Sequence, residues 1–339
     1  GENRVQEAEE KFSLLPNLPG LEKRMIGQNE PPFIIAEIGN NHNGNLDTAF
    51  ELIKIAKDIG VDAVKFQVKN IEKSFTKELL NSLYVNENSF GNTYRDHKMA
   101  LEFSEEQLKQ IYEYAKELDI TCFSTPFDTD SVEILEAIKN PIYKISSFHV
   151  TDLPLIERVC KTNKPIILST GMSSIDEIDN AVNLIRKYTE QFILMHCISS
   201  YPTSDKDVNL SVIPMLRDRY NCPVGYSGHE RGNFIPLAAI ALGACVIEKH
   251  ITFNKDQEGN DHKVSLLPEE LKEMVDQIRM SQEALGNDNP RSITQGELMN
   301  REVLAKSLYS VRKISQGEKI TRDLIVVKSP GQGLQPNKL

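Results

Sequence analysis

The stretch Phe33-Ile34-Ile35-Ala36 is a short apolar run, and the segment from Leu46 to Ile59 after it carries apolar residues at helical spacing. Together they predict one strand followed by one helix. Seven more runs of strand character occur along the chain, separated by longer segments: Ala63 to Phe66, Thr121 to Ser124, Tyr143 to Ser146, Ile166 to Ser169, Ile193 to His196, Val224 to Ser227 and Cys245 to Glu248. Eight successive strand–helix units predict an α/β fold of the (β/α)8 TIM barrel type.

A doubly wound open sheet is the alternative fold for alternating strands and helices. That fold gives no reason for a count of eight, and no Gly-x-Gly-x-x-Gly sequence follows the first strand. Capping boxes that begin at Ser104 and Ser174 indicate the starts of two of the intervening helices. The barrel is therefore the predicted architecture.

The length of 339 residues leaves room for a small second domain beside a barrel of roughly 250 residues. The turn-rich segment Gly286 to Pro290 indicates a break, and short β-like pieces with a second turn-rich segment follow Ser307. We predict an N-terminal extension at 1–31, the catalytic barrel at 32–286, a linker at 287–302 and a small β-rich domain at 303–339. We expect that last domain to be incomplete at Leu339.

Composition excludes several classes of partner. The net charge is −10 and the pI is about 5.4, so the overall field repels nucleic acids and acidic membranes. No apolar stretch approaches the ~20 residues of a membrane span, and residues 1–10 lack the basic and apolar regions of a signal peptide. Five scattered cysteines, mostly among apolar neighbours, indicate buried reduced thiols. We therefore expect a cytoplasmic protein with no nucleic-acid or membrane partner.

Polar side chains follow the predicted strands at their carboxyl ends, where barrel enzymes place their chemistry. They are Glu37, Lys65, Gln67, Ser124, Thr125, Lys144, Ser146, Ser147, Ser169, Thr170, His196, Ser199, Tyr201, Ser227, His229, Glu248 and His250. Two lysines and a ring of hydroxyls at one mouth would bind a phosphate or a carboxylate. Because Lys65 and Lys144 lie within apolar runs, we favour this role over that of solvated lysines.

Two of these side chains are candidate metal ligands. His229 and His250 come from the ends of adjacent strands, and two converging imidazoles can bind a divalent metal. Such a site would leave several coordination positions open for substrate oxygens. A lone histidine is more often a hydrogen-bonded structural residue, and His42, His196 and His262 compete for the role. The residues alone leave this choice open.

From Phe33 onward the sequence resembles the sialic acid synthase family, which includes N-acetylneuraminate, legionaminate and pseudaminate synthases. The resemblance lies in nine ordered blocks: Ile35 to Gly44, Ala63 to Gln67, Phe123 to Phe127, Tyr143 to Ser147, Ile167 to Met172, His196 to Pro202, Gly225 to His229, Ile247 to His250 and Gly259 to His262. It implies a barrel followed by a small antifreeze-like (SAF) domain. It also implies a domain-swapped homodimer, in which that domain covers the barrel of the partner.

The resemblance also implies roles for individual residues. His229 and His250 would bind manganese or magnesium. Phosphoenolpyruvate would contact Lys65, Thr125, Lys144, Ser147, Ser169, Ser199 and Ser227. Gln67, Tyr201 and Asp261 would face the sugar, together with Asn88, which lies in the irregular stretch from Asn70 to His97. We expect that long stretch to cover the mouth of the barrel.

The reaction implied by the resemblance is the condensation of phosphoenolpyruvate with an open-chain N-acyl amino sugar such as N-acetylmannosamine. The metal would polarise the aldehyde oxygen, and C3 of phosphoenolpyruvate would attack the aldehyde carbon. Water would then add at C2, and phosphate would leave by cleavage between carbon and oxygen. We expect Glu37 to position or deprotonate this water, and a structural ion pair with Lys65 is the alternative role for Glu37.

Two departures from the family concern the choice of sugar. His149 stands where many relatives have a carboxylate, and Ser329 stands where several bacterial relatives have an arginine before Pro-Gly. An arginine to serine change removes a forked donor that could reach an acylamino group. A diacetamido sugar, which leads to legionaminic or pseudaminic acid, and a 6-phosphorylated sugar therefore stay open as substrates.

Other classes of function fit parts of the pattern. A lyase could form a Schiff base through Lys65 or Lys144. A hydrolase with two metals fits less well, because Asn-His-Asn follows the first strand in place of a His-x-His pair. A non-catalytic protein that binds a carbohydrate or ice through its terminal domain would leave the polar ring unexplained.

Overall fold

Residues 26–27, 30–286 and 291–339 are described by this computed structural model, and they contain a closed parallel barrel. Its strands pair in chain order, and β8 closes the barrel against β1, with Phe33 beside Val246 and Glu37 beside His250. The predicted barrel is confirmed. The strands are β1 (Phe33–Glu37), β2 (Ala63–Val68), β3 (Thr121–Pro126), β4 (Tyr143–Ile145), β5 (Ile166–Ser169), β6 (Phe192–Cys197), β7 (Val224–Ser227) and β8 (Val246–His250).

Helices alternate with these strands. They are α1 (Leu46–Ile59), α2 (Ile71–Ser74), α3 (Lys77–Leu80), α4 (Tyr94–Leu101), α5 (Glu105–Glu117), α6 (Thr129–Ala137), α7 (Leu153–Cys160), α8 (Ile175–Ile185), α9 (Asp205–Val208), α10 (Val212–Tyr220), α11 (Phe234–Ala241) and α12 (Pro268–Leu285). Short 3-10 turns occur at Ser147–His149 and His262–Val264. The predicted helix starts are confirmed, because Ser104 and Ser174 each accept a hydrogen bond within a capping box.

The stretch from Asn70 to His97 differs from the irregular loop expected from the sequence. It contains α2 and α3 and the beginning of α4. The side chains of Thr76 and Thr93 cap α3 and α4 by accepting hydrogen bonds from the backbone of their first turns. These caps satisfy backbone donors that would otherwise lack partners, which explains how short polar segments form helices here.

Successive side chains of each strand point to opposite faces, and the apolar ones form two separate clusters, one outside the barrel and one inside it. Side chains that point outward, such as Val64 and Phe66, pack beneath the surrounding helices. The inward side chains near the amino ends of the strands form a separate cluster inside the barrel: Phe33, Ile35, Ala63, Phe123, Ile142, Ile167, Ile193, Met195, Cys245 and Val246, together with Ile26. This interior cluster closes the amino end of the barrel and leaves the inward positions at the carboxyl ends for polar side chains.

The chain divides into two compact units, Gly1–Gly286 and Asn287–Leu339. In the second unit, α13 (Gln295–Leu304) begins at a capping box on Thr294, and β9 (Ser307–Ser310) pairs antiparallel with β10 (Ile325–Lys328). Part of the predicted linker 287–302 is therefore helical, and residues 287–290 lie outside the described residues. Of the predicted extension 1–31, residues 1–25 and 28–29 also lie outside them.

All five cysteines are free and buried, as the sequence predicts: Cys122, Cys160, Cys197, Cys222 and Cys245. Of the helices in the described ranges, none is long and apolar enough to cross a membrane.

Close packing inside the barrel leaves no room for a side chain at Gly225 on β7. A Cβ atom at this position would lie 2.7 Å from both the carbonyl oxygen and the Cβ atom of Val246 on β8. Gly225→Ala should therefore lower the free energy of unfolding by about 1–3 kcal/mol through overpacking. Urea unfolding followed by circular dichroism measures the change.

Gly296→Ala in α13 is the matched control, because a Cβ atom there meets nothing within 4 Å. It should leave stability unchanged or raise it by up to about 1 kcal/mol, since alanine favours helix. A Gly225→Ala protein as stable as the parent would contradict the packing described for the interior.

Candidate active site

A cavity of about 340 Å³ opens at the carboxyl ends of the strands, above the interior cluster. Every residue given a role by the family resemblance lines this cavity except Asn88, whereas the strand-end residues Ser124, Thr170 and His196 do not. The residues brought together are Glu37, Lys65, Gln67, Thr125, Lys144, Ser147, Ser169, Ser199, Tyr201, Ser227, His229, His250 and Asp261. The strand alternation explains the convergence, because these side chains occupy inward positions near strand ends or the loops directly after them.

Asn88 is placed differently from its predicted position. Its side-chain oxygen accepts a hydrogen bond from the backbone N–H of Gly259 at 3.4 Å, and it does not belong to the cavity lining. The neighbouring Glu87 forms an ion pair with Lys263 at 2.8 Å. The loop that carries Asn88 is therefore held against the segment after β8, and Asn88 faces that segment instead of the cavity.

Four charged side chains form the centre of the cavity. Lys65 is ion-paired with Glu37, and Oε1 of Glu248 lies 3.9 Å from Nζ of Lys65 and 3.6 Å from Nζ of Lys144. The hydroxyl of Ser227 donates to the same Glu248 oxygen at 3.1 Å. The sequence named Glu248 only as a strand-end residue, although its position two residues before His250 on one strand places both on the inward face.

The two carboxyl groups in this centre have opposite pKa shifts. Burial raises the pKa of Glu37 well above its usual range, and the neighbouring Lys65 only partly offsets this. Burial would also raise the pKa of Glu248, but the ammonium groups of Lys144 and Lys65 hold it below its usual range. Glu248 is therefore the permanent counter-ion of the lysines, and Glu37 is the carboxyl group able to exchange a proton near neutral pH.

The pKa values of the two lysines are shifted in opposite directions. The pKa of Lys65 is raised because Glu248 and Glu37 outweigh its burial, and its Nζ also donates to the hydroxyl of Thr125 at 3.3 Å. The pKa of Lys144 is lowered, chiefly by burial. With Lys98 and Asp261 also lining the cavity, three ammonium groups share it with three carboxyl groups. An anion and a divalent cation that bind together in this cavity would attract each other.

Apart from Oε2 of Glu37, which is ion-paired with Lys65, three buried polar atoms in the cavity have no hydrogen-bond partner in the part of the chain that the structure describes. They are Oγ of Ser169, Oε2 of Glu248 and Nδ1 of His250. A buried polar atom without a partner is rare in a folded protein and indicates a place for water, an ion or a ligand. All three belong to the same cavity, so this arrangement is suited to a polar ligand.

His229 and His250 lie side by side, with ring centroids 5.7 Å apart. Nδ1 of His229 donates to the carbonyl oxygen of Ile198 at 2.8 Å, which leaves the lone pair on Nε2. Burial lowers the pKa of His229 to about 4 and that of His250 to about 3, so both rings are neutral at pH 7. Two neutral imidazoles with an adjacent carboxyl group, Asp261, suit a divalent metal ion.

This donor set is small. Within the described ranges, no group of three His, Cys, Asp or Glu side chains is close enough together to hold a metal ion alone. The two imidazoles would therefore bind a metal whose remaining positions are filled by water or by substrate oxygens. Such a partly open site is the kind that catalytic metals use.

The competing histidines have structural partners. Nε2 of His196 lies 2.6 Å from the carbonyl oxygen of Val208 outside the barrel, so its predicted convergence on the mouth is wrong. The ring of His42 stacks on Phe103 at 4.2 Å. His262 reaches the edge of the cavity, but its Nδ1 is hydrogen-bonded to the hydroxyl of Thr252 at 2.7 Å. His196 faces outward because it alternates with Met195 and Cys197 on β6.

Part of the cavity wall is made by residues to which the sequence gave no role. They are Asn40, Asn41, Asn43, His97, Lys98, Leu101, Phe127, Phe148, Met172 and Asn260. The departure at His149 lies behind this wall, where its ring contacts those of Phe148 and Phe127 and its Nδ1 is 3.1 Å from the hydroxyl of Ser146. The departure at Ser329 lies in the second unit, where its hydroxyl donates to the carbonyl oxygen of Leu304.

Comparison with known proteins finds close relatives over most of the chain. The sequence model of the NeuB family matches residues 52–290. The N,N'-diacetyllegionaminic acid synthase of Campylobacter jejuni is 40% identical over 307 residues, covering 89% of this chain and 91% of that protein. Human N-acetylneuraminate-9-phosphate synthase is 38% identical over 306 residues, with 90% and 85% covered.

A solved structure is similar in three dimensions. The N-acetylneuraminic acid (sialic acid) synthetase of Leptospira borgpetersenii, in complex with citrate, superposes with a TM-score of 0.75. It is 34% identical in sequence, and the match covers 86% of this chain and 98% of that one.

The central position of Glu248 predicts a stability effect. Glu248→Gln removes the carboxylate that faces both lysines and leaves Lys144 without its nearest counter-charge. Breaking a buried pair from one side leaves an uncompensated charge, so the free energy of unfolding should fall by on the order of 3 kcal/mol. Urea unfolding at pH 7 measures it.

Glu51→Gln on the exposed side of α1 is the control and should change stability by less than about 0.5 kcal/mol. Equal stability of the two variant proteins would show that Glu248 does not balance the lysines.

Proposed function

Since the chain belongs to the NeuB family, we propose that it is a nonulosonic (sialic) acid synthase. In this proposal it condenses phosphoenolpyruvate with an N-acyl amino sugar such as N-acetylmannosamine, adds water and releases phosphate. One observation carries the proposal: Lys65 and Lys144, with a set of hydroxyl groups, share one cavity with two neutral imidazoles. The first group suits an anionic enol ester, and the second suits a divalent metal beside it.

Phosphoenolpyruvate is proposed to bind at the lysine end of the cavity. The ammonium groups of Lys65 and Lys144 attract its phosphate and carboxylate, and hydroxyl groups complete the contacts. These hydroxyls belong to Thr125, Ser147, Ser169, Ser199 and Ser227. The buried Oγ of Ser169, which has no protein partner in the described residues, supports this placement. Fixing both anionic groups would hold C3 of the enol toward the rest of the cavity, where the sugar binds.

His229 and His250 are proposed to hold Mn²⁺ or Mg²⁺. When bound there, the metal supplies Lewis-acid polarisation of the aldehyde oxygen of the open-chain sugar. The residues contribute neutral imidazole nitrogens, and the hydrogen bond from His229 to the carbonyl of Ile198 orients one of the two rings. The carboxyl groups of Glu248 and Asp261 lie beside these rings and favour a cation at this point.

Glu37 is proposed to take the proton from water during the second part of the reaction. Bond formation between C3 and the aldehyde carbon breaks the π bond of the aldehyde, which leaves an alkoxide on the sugar and cationic character at C2. The water oxygen then bonds to C2, one of its protons passes to Glu37, and the alkoxide takes up a proton to become a hydroxyl group. The hydroxyl left at C2 forms a carbonyl as the bond between C2 and the bridging oxygen breaks, and its proton leaves with the phosphate. The raised pKa of Glu37 suits this role, and Nε2 of Gln67 donates to its Oε1 at 3.1 Å to orient it.

The sugar is proposed to bind between Gln67, Tyr201 and Asp261. Tyr201 is 50% exposed, so its ring can lie along a ligand at the cavity mouth. Phe148 and Met172, which are also exposed in the cavity lining, offer apolar contact for an acyl group. The N-acyl amino sugar therefore has both polar and apolar partners in the cavity.

We also propose an assembly and a location. The second unit is assigned as an SAF domain that covers the barrel of a partner subunit in a domain-swapped homodimer. Support comes from the family resemblance and from the compactness of this unit, with its antiparallel β9 and β10. A cytoplasmic location is supported by five free, buried cysteines, which suit a reducing compartment.

The proposed reaction predicts a double requirement. The purified full chain should release phosphate from phosphoenolpyruvate only when an N-acyl amino sugar and a divalent metal are both present. A panel of N-acylmannosamine-type sugars, including phosphorylated and diacetamido forms, would be tested by phosphate release, with products identified by mass spectrometry. Turnover that survives chelation, together with trapping by borohydride, would instead identify a Schiff-base lyase.

The proposed metal ligands predict a specific loss. His229→Ala and His250→Ala should each lower the rate of phosphate release by more than ~100-fold, because losing a ligand costs at least as much as losing an outer-shell partner. Circular dichroism should show that both variants remain folded. Lys187→Met, an exposed lysine after α8, is the control and should keep the parent rate. Full activity of either histidine variant would remove that residue from the site.

A further inference from the structure

A fully buried ion pair lies directly behind the two imidazoles. Lys249 on β8 stands between Glu248 and His250, which line the cavity, so strand alternation directs its side chain to the opposite face. There Nζ of Lys249 donates to the backbone carbonyl oxygen of Glu230 at 2.7 Å and to its Oε1 at 3.1 Å. Both side chains have 0% exposure.

Glu230 is held from a second side. Its Oε2 accepts a hydrogen bond from the hydroxyl of Tyr226 on β7. The carboxylate folds back over Gly228, where an added Cβ atom would lie 2.5 Å from Oε2 of Glu230 and 2.7 Å from the Tyr226 ring. Tyr226 and Gly228 thus pack closely against the carboxylate of Glu230. His229 lies between Gly228 and Glu230, so its backbone is part of this tightly packed segment.

His229 is held both at its ring and at its backbone. Its ring donates to the carbonyl of Ile198, and its backbone oxygen accepts from the N–H of Thr203 at 3.1 Å. The residue after it is bound by Lys249, which is the residue before His250. One side chain thus joins the backbone that carries the first imidazole to the strand that carries the second.

Burying the ion pair of Lys249 and Glu230 costs desolvation energy. Apolar side chains of similar volume often stabilise a fold as well as a buried ion pair or better, so stability alone does not explain the pair. Other outward side chains near Lys249 are apolar, such as Ala36 opposite it on β1 and Ile247 on the same strand. A charged, hydrogen-bonded pair differs from an apolar contact because its direction and length are restricted.

We infer that Lys249, Glu230 and Tyr226 form a clamp that fixes the spacing of His229 and His250 and thereby sets the affinity for a divalent metal. Lys249 is a positioning residue in this inference, because it acts through the two imidazoles without touching the metal or the substrates. The inference rests on the metal site of the proposed function. Lys249, Glu230 and Tyr226 would thus affect the affinity for the metal from outside the cavity.

The test is a Mn²⁺ titration of the metal-free full chain, with free Mn²⁺ measured by electron paramagnetic resonance. Lys249→Met removes the clamp, and Tyr226→Phe removes only the hydroxyl that holds Glu230. Asp62→Asn is the matched control, because Asp62 is a buried carboxylate at the opposite end of the barrel, 2.8 Å from Arg279. Thermal unfolding of each protein reports its stability separately from its metal affinity.

We expect the Kd for Mn²⁺ to rise by at least about tenfold in Lys249→Met and by about threefold in Tyr226→Phe, as for other residues that orient metal ligands. Asp62→Asn should be destabilised and bind Mn²⁺ as the parent does. If Lys249→Met does not fold, Tyr226→Phe decides the question. Parent-like Mn²⁺ affinity in a folded clamp variant would overturn the inference alone, whereas a parent chain that binds no Mn²⁺ would overturn both the inference and the proposed metal site.

Discussion

Closure of eight parallel strands into a barrel is the constraint on which the rest of the structure depends. A closed barrel directs every second side chain inward, so each strand contributes to one shared interior. Apolar residues such as Phe123 and Ile167 fill that interior near the amino ends, and polar residues occupy it near the carboxyl ends. Lysines at these positions cannot extend freely into solvent. They must meet carboxylates from other strands, and Glu248 lies where both can reach it.

The same constraint gathers charged groups of both signs into one cavity. The ammonium groups of Lys65, Lys98 and Lys144 share it with the carboxyl groups of Glu37, Glu248 and Asp261, and two imidazoles beside them are neutral. A divalent cation and a phosphoenolpyruvate anion would each improve the electrostatic environment of the other. The proposed reaction needs both in one place, so binding and chemistry would draw on a single arrangement of charges. Lys249 and Glu230 would contribute from the other side of β8 by keeping the imidazoles at a fixed spacing.

The sequence predicted the barrel because strand-like runs such as the one at Phe33 recur eight times, and it predicted the cavity because polar residues follow those runs. It placed His196 at the mouth because this residue ends a predicted strand, although alternation with Met195 and Cys197 on β6 turns its ring outward. The stretch around Thr76 and Thr93 was expected to be irregular, because helices of one or two turns leave little periodicity to detect. Asn88 and Glu248 show the same limit: tertiary contacts with Gly259 and with the lysines decide their roles.

The most direct test of the proposed site is X-ray diffraction from crystals of the full chain grown with Mn²⁺ and phosphoenolpyruvate, recorded to detect anomalous scattering by manganese. We expect one strong anomalous peak within bonding distance of an imidazole nitrogen of both His229 and His250. We expect the phosphate and carboxylate of the ligand to contact Lys65 and Lys144. Manganese bound to other residues, or phosphoenolpyruvate bound outside this cavity, would contradict the proposed site.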